Sequence, residues 1–294
     1  MEIGHFIKNI RIKKNMSQET LSKNIISRRN LSKIENNETS PTIEQLKQIF
    51  FKLNIDSNDI NDFVLNFNSS QYNELHTEFT DLINSVNIKN SDLLLLNQKI
   101  KEDLSSDRKI ISLYLEFKIR FKNNKLILPL TTKEIRNIYD YLVASPVYTI
   151  NDYTILALLV KLAPIPMIEH LHSKMFPVQF RELRNQGITD VILCFYFNIT
   201  SELIQLQWHS SAKEYLALAK IELTPTNYYY TLKINYLEKL QLYSETRKLE
   251  YKNQCLELIE IPKKFDDIKL FELLKKLLSI VDTQNENSNK SFFK

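Results

Sequence analysis

The chain has 294 residues, 43% hydrophobic and 25% charged, which suits a soluble globular protein long enough for two domains with separate cores. Its only glycines are Gly4 and Gly187, which excludes a phosphate-cradling loop, a dinucleotide fingerprint and a nucleophile elbow and argues against a turn-rich β fold. The net charge of +4 is uneven: through residue 55, ten Lys and Arg face five acids and the remainder is near neutral, so a basic N-terminal module on a neutral body is set up to meet phosphate at one end.

The first helix is expected over Ile3–Lys14, with Phe6, Ile7 and Ile10 facing a core and Lys8, Arg11, Lys13 and Lys14 pointing elsewhere. The stretch Ser17–Asn36 then reads as two short helices at a sharp angle. Gln18–Lys23 forms the first, Asn24-Ile25-Ile26 breaks it, and Ser27 N-caps a second helix running to about Glu35. Leu21, Ile25, Leu31 and Ile34 lock the pair together. What the second helix leaves exposed is Arg28, Arg29, Asn30 and Lys33, the donor set that reads guanine and adenine edges in a major groove. Thr42 with Gln45 makes a capping box for a fourth helix, whose Ile43, Leu46, Ile49, Phe50 and Leu53 close the small core. Ile60, Phe63, Val64 and Phe67 suggest a fifth helix, and Asn68-Ser69-Ser70 a linker.

The segment MSQETLSKNIISRRNLSKIENN, preceded by GHFIKNIRIKKN and followed by SPTIEQLKQIFFKLNI, resembles the Cro/C1-type helix-turn-helix, and its LSKIE ending resembles Rgg-type transcriptional regulators. The likeness covers about 65 residues strongly and the rest by architecture. Two departures are visible: Asn37 stands where Gly is usual, tolerable because Asn also visits the left-handed region, and Asn24-Ile25 replaces a turn Gly.

From Gln71 onward amphipathic helices follow one another: Tyr72–Val86, Asp92–Leu104, Arg108–Lys122, then one opened by a Thr131/Glu134 capping box and running to Val143. Later ones are expected at Asp152–Leu162, Met167–Met175, Val178–Asn185, Asp190–Leu206, Ser211–Ile221, Thr226–Leu242, Glu245–Leu258 and Asp266–Val281. First-helix starts at Asp152, Thr189 and Thr226, with another near Phe265, give a 37-residue step, close to the ~34 residues of a tetratricopeptide unit. The expected fold is therefore all-α: a five-helix DNA-binding domain (1–67), a linker (68–71), a right-handed superhelix of degenerate tetratricopeptide-like repeats (72–282) and a disordered polar tail (283–294).

Chemistry has little to work with. His170 and His172 are two apart and point to different sides of a helix, so they cannot chelate one metal, and His209 beside Trp208 reads as a packed helix end. Cys194 and Cys255 have no metal spacing and read as two buried thiols. No signal peptide is expected before the first helix, and no apolar run reaches the ~18 residues of a membrane span; the longest, Tyr153–Pro166, contains Lys161. An enzyme is not expected, no cofactor or metal is implied, and the protein is expected in the cytoplasm.

The resemblance implies a homodimeric transcription factor of the Rgg, PlcR and PrgX group, reading a partly palindromic operator in double-stranded DNA and sensing a short linear signalling peptide, with RNA polymerase as a further partner and no membrane. Arg11, Gln18, Ser27, Arg28, Arg29, Asn30, Ser32 and Lys33 are the candidate DNA contacts. Lys161, Arg184, Asn198, Asn227 and Asn235 are candidate peptide contacts, since amides offer a donor and an acceptor to a peptide backbone. Most of Phe195-Tyr196-Phe197 and Tyr228-Tyr229-Tyr230 should face the core. The alternatives are a repressor or antitoxin whose C-terminal domain binds a protein partner, a receptor for a small apolar molecule, and a plain dimerisation scaffold.

Overall fold

A computed structural model describes residues 2–55, 71–85, 87–104, 107–184 and 186–292. The expected fifth helix and the linker through residue 70 lie outside these. The chain divides into two compact units, Met1–Thr77 and Glu78–Lys294. The described residues are helical throughout, without a strand.

The first unit contains α1 (Ile3–Lys13), α2 (Gln18–Ser22), α3 (Arg28–Glu35) and α4 (Ile43–Lys52). Each of the last three begins where a side-chain oxygen takes a free backbone N–H: Ser17 from Thr20, Ser27 from Asn30, and Thr42 from Gln45 in a complete capping box. Asn24 and Asn37 both have positive φ, 65° and 58°, which lets the chain turn without glycine. Phe6, Ile7, Leu21, Leu31, Ile34 and Leu53 are buried together, and the rings of Phe6 and Phe50 meet edge to face at 6.3 Å. Ile43, expected in this core, is instead exposed, because it is the first residue of α4 and precedes the turn that touches α2. Gly4 is needed for close approach: a Cβ there would stand 1.8 Å from the Ile34 carbonyl oxygen, while its N–H donates to Asn37 Oδ1 at 2.9 Å.

Helix α5 (Gln71–Asn84) begins at Gln71, a residue assigned from sequence to the linker, and carries the division between the units. The second unit continues with α6 (Asn90–Glu102), α7 (Arg108–Arg120), α8 (Thr132–Val143), α9 (Ile150–Leu159) and α10 (Ile165–Met175). Beyond them come α11 (Gln186–Gln205), α12 (His209–Glu222), α13 (Tyr228–Thr246), α14 (Leu249–Lys264) and α15 (Ile268–Phe292). Alternate helices form a row, with α7 packed on α9, α9 on α11, α11 on α13 and α13 on α15. Helix α11 also packs against α12, and α14 packs on both α13 and α15. Tyrosine hydroxyls tie successive elements, Tyr153 to the Met175 carbonyl (2.9 Å) and Tyr236 to that of Leu274 (2.6 Å).

Three expectations are corrected. The first helices of the pairs start at 150, 186, 228 and 268, steps of 36, 42 and 40 residues rather than a constant 37. The helix expected at Val178–Asn185 is, over its described residues 178–184, only a 3-10 turn at Arg181–Leu183, because Phe180 adopts φ 54° and the Arg184 side chain pins the Gln179 carbonyl. The polar tail is not without structure: α15 runs on to Phe292, held past its apolar part by Gln284 donating to the Gln205 carbonyl at 2.7 Å. Helix α11, 20 residues with mean hydropathy 1.3, is the apolar run of membrane-span length that the sequence reading overlooked. Two-thirds of its 18-residue window (67%) is buried against its neighbours, as in the central helix of a helical core.

Candidate nucleic-acid and ligand interfaces

In the first unit the residues of α3 divide by face. Leu31, Ile34 and Glu35 point inward, while Arg28, Arg29 and Asn30 are exposed in the first turn and Ser32 and Lys33 are half-buried behind them. Ser27 is spent on capping, with its Oγ 3.2 Å from the Asn30 N–H. No hydrogen bond or ion pair within the described residues engages the side chains of Arg28, Arg29 or Lys33. Unspent cations at the N-terminal end of an exposed helix are what phosphate and base edges require.

Behind this face lies a brace that engages two of the expected contacts, Arg11 and Gln18. Arg11 is 9% exposed and grips Glu35 with both arms of its guanidinium, Nε to Oε1 at 2.5 Å and Nη2 to Oε2 at 2.8 Å, while Nη1 donates to the Met16 carbonyl. Gln18 donates to the same Glu35 Oε2 at 2.8 Å. Burial alone would push the Glu35 carboxyl up, but the bonds from Arg11 and Gln18 and the charges of Arg11 and Lys8 hold it below its ordinary value. Arg11 and Gln18 therefore work through the orientation of α3. Lys52, unnoticed in the sequence, caps the C-terminal carbonyls of α2, donating to Thr20 at 2.9 Å and Leu21 at 3.3 Å.

In the second unit the row α9–α11–α13 presents a half-exposed stripe. Along α11 it runs Asp190, Cys194, Asn198 and Glu202, every fourth residue, and along α9 it runs Asn151, Thr154, Leu158 and then Lys161 just beyond the helix. Most of the expected peptide contacts are consumed by the structure. Lys161 pairs with Glu202 at 2.7 Å and donates to Ser201. Asn198 donates to the Ala157 carbonyl at 2.9 Å, stitching α11 to α9. Asn227 caps α13 and donates to Asp190 at 2.7 Å. Arg184 holds the carbonyls of Gln179 and Tyr148. Asn235 is exposed.

The aromatic triplets behave differently from each other. Phe195, Tyr196 and Phe197 are all buried in the middle of α11, whereas Tyr228 is 79% and Tyr229 49% exposed, since the second triplet opens α13. His172 lies among Phe176, Phe195, Tyr196 and Tyr215, with ring centroids 4.5 to 6.0 Å away. Burial there pushes its pKa down to about 4. Of the two thiols, Cys255 is buried and Cys194 only half so. A cleft of about 700 Å³ opens beside the N-terminal ends of α7 and α9, lined by Asp107, Arg108, Tyr141 and Asn151 among others. Among the described residues no cluster of His, Cys, Asp and Glu has the makings of a metal site.

Residues 7–60 match the helix-turn-helix family HTH_3, and the first unit is a helix-turn-helix domain. No curated protein matches the chain. Among solved structures, PrgX aligns at 18% identity with a TM-score of 0.77, covering 97% of this chain and 95% of that one. A bacterial peptide pheromone/receptor complex aligns at 19% identity and TM-score 0.80, covering 96% and 98%. The SHP pheromone receptor Rgg2 of Streptococcus dysgalactiae aligns at 14% and 0.73, covering 95% and 99%. The chain shares the fold of PrgX and Rgg2. The PrgX and Rgg2 likeness runs through both units at nearly full length, so the pairing of a helix-turn-helix with this helical row is a property of the shared fold.

Proposed function

We propose that the chain is a DNA-binding transcriptional regulator controlled by a short linear peptide held on the helical row. The observation that carries the DNA half is the first turn of α3, where Arg28, Arg29 and Asn30 stand exposed on a helix braced from behind by Arg11, Glu35 and Gln18. Lys and Arg supply the salt-sensitive phosphate attraction, and Arg28, Arg29, Asn30 and Lys33 the base discrimination. The peptide half is supported by the likeness to PrgX and to structures described as pheromone receptors, and by the open stripe along α9 and α11.

The regulator works as a cytoplasmic homodimer, two recognition helices about 34 Å apart on a partly palindromic operator. A peptide that prefers one arrangement of the helical row shifts the dimer toward it and alters its hold on DNA, and RNA polymerase then reads the occupancy. The chain catalyses no reaction in this scheme. The test is selection of duplexes from a random-sequence DNA library by the purified protein. The expected outcome is an enriched two-fold-symmetric motif whose affinity falls steeply with salt; recovery of unrelated sequences ends the proposal.

A further inference from the structure

Lys233 is a buried lysine whose ammonium forms no close ion pair among the described residues. It lies in the second turn of α13, 6% exposed, with its Nζ 4.1 Å from the ring centroid of Phe197, 4.8 Å from Tyr230 and 4.9 Å from Tyr229. Among the described residues no oxygen accepts a hydrogen bond from it and no carboxylate pairs with it. The contrast with other lysines of this unit is direct. Lys118, equally buried, donates to the Leu128 carbonyl at 2.9 Å, and Lys161 has Glu202. Ring faces attract a cation, but they present no lone pair to its N–H groups, so the ammonium has no protein acceptor among the described residues in a mostly buried place.

The surroundings limit the anion that fits. Phe197 and Tyr230 are hydrophobic walls, and Tyr229, half exposed, is the outer one, facing solvent. A dianionic phosphate would leave most of its oxygens unbonded among rings, whereas one ammonium suits a single negative charge. The box adjoins the stripe of α11 by sequence and contact, Phe197 lying between Cys194 and Asn198. We propose that Lys233, with Phe197, Tyr229 and Tyr230, anchors a carboxylate borne on an apolar body: the C-terminus of a peptide with an apolar last residue, or a free apolar carboxylic acid. The peptide form rests on the receptor reading above; the carboxylate chemistry does not. Burial holds the Lys233 pKa below its ordinary value, the nearby Lys161 adding to this against the opposing pull of Cys194 and Asp267, and an incoming carboxylate pulls it back up.

The experiment uses the full chain and three probes: a synthetic library of apolar heptapeptides with free C-termini, the same library as C-terminal amides, and octanoate. Retained peptides are identified by mass spectrometry and titrated calorimetrically, and alkylation of Cys194, half-buried beside the box while Cys255 is sealed, reports local occupancy. The expected result is at least tenfold tighter binding of free acids than of their amides, slowed Cys194 alkylation, and loss of the acid preference in Lys233→Met with partial retention in Lys233→Arg. Should Lys233→Met not fold, the acid-against-amide comparison and Lys233→Arg decide alone. Peptides that bind equally as acids and amides overturn the anchor and leave the receptor reading standing. Octanoate protecting Cys194 in the wild type but not in Lys233→Met, with no peptide retained, keeps the anchor and overturns the peptide reading. If no probe binds, both fall.

Discussion

Arginine, lysine and asparagine meet different fates on the exposed face of α3 and along the helical row. In α3, Arg28, Arg29 and Asn30 stand in solvent with no internal partner, whereas in the helical row Arg184, Lys161, Asn198 and Asn227 are bound to carbonyls and carboxylates of neighbouring helices. The difference is one of architecture. The small core shared by α1–α4 leaves one face of α3 exposed. A stacked row must join each helix to the next across a polar seam, and long polar side chains do that joining. Polar residues on such a row are structural until shown otherwise, and the exceptions to look for are cations without an acceptor, such as Lys233.

The largest effect that would break this comparison lies beneath the exposed face. Arg11→Met removes one partner of a buried ion pair and should cost about 3–5 kcal/mol, because Glu35 is left charged and enclosed. Thermal unfolding of the isolated variant reads this directly, and a midpoint equal to wild type would return Arg11 to the DNA-contact set.

Next comes a matched pair of arginines. Arg28→Ala should leave stability within about 0.5 kcal/mol of wild type and weaken binding to a selected duplex by ~1–3 kcal/mol with relaxed preference at one base pair. Arg184→Met should do the reverse, lowering stability by about 2 kcal/mol as the Gln179 and Tyr148 carbonyls lose charged donors while DNA affinity stays put. Equal behaviour of the two variants would erase the distinction between the units.

The two units also differed in how far they could be read from sequence. Ser27, Thr42/Gln45 and Thr131/Glu134 announced their helix starts because caps are local chemistry, and the apolar set Leu21, Leu31 and Ile34 followed from spacing alone. The exposed face of α3 was legible because its motif fixes the register. The helical row had no such register: Asn198 and Asn227 look like ligand amides in sequence, and only three-dimensional placement reveals Ala157 and Asp190 as their partners. A local signal for Lys233 did exist, since Tyr229 and Tyr230 precede it by four and three residues and so share its helix face. Phe197, which closes the box, comes from another helix and no spacing could supply it. The continuation of α15 through Asn- and Ser-rich residues was hidden for a similar reason, as Gln284 finds its acceptor on Gln205, far away in sequence.

A smaller effect concerns His172, whose neutral form is favoured among aromatic rings. The unfolded chain takes up a proton near pH 6.5, while the folded chain holds off until about pH 4. Between those values the unfolded state binds more protons, so stability falls as the solution is acidified from pH 6.5 to pH 4. The thermal midpoint should therefore drop over that interval. His172→Phe, which keeps the ring and deletes the titration, should flatten this part of the profile.

The smallest expected effect is the sharpest test of what a polar seam is. Lys161 and Glu202 are both about a quarter exposed, 26% and 29% for their side chains, so water screens the pair. A double-mutant cycle with Lys161→Met and Glu202→Gln should give a coupling of only about 0.2–1 kcal/mol in stability. Lys161 also donates to the buried Ser201, so Lys161→Met alone should cost more than Glu202→Gln alone. If instead the coupling is nil and Lys161→Met mainly weakens a retained heptapeptide, Lys161 belongs with Lys233 as a ligand cation, and the seam between α9 and α11 is held by Asn198 rather than by charge.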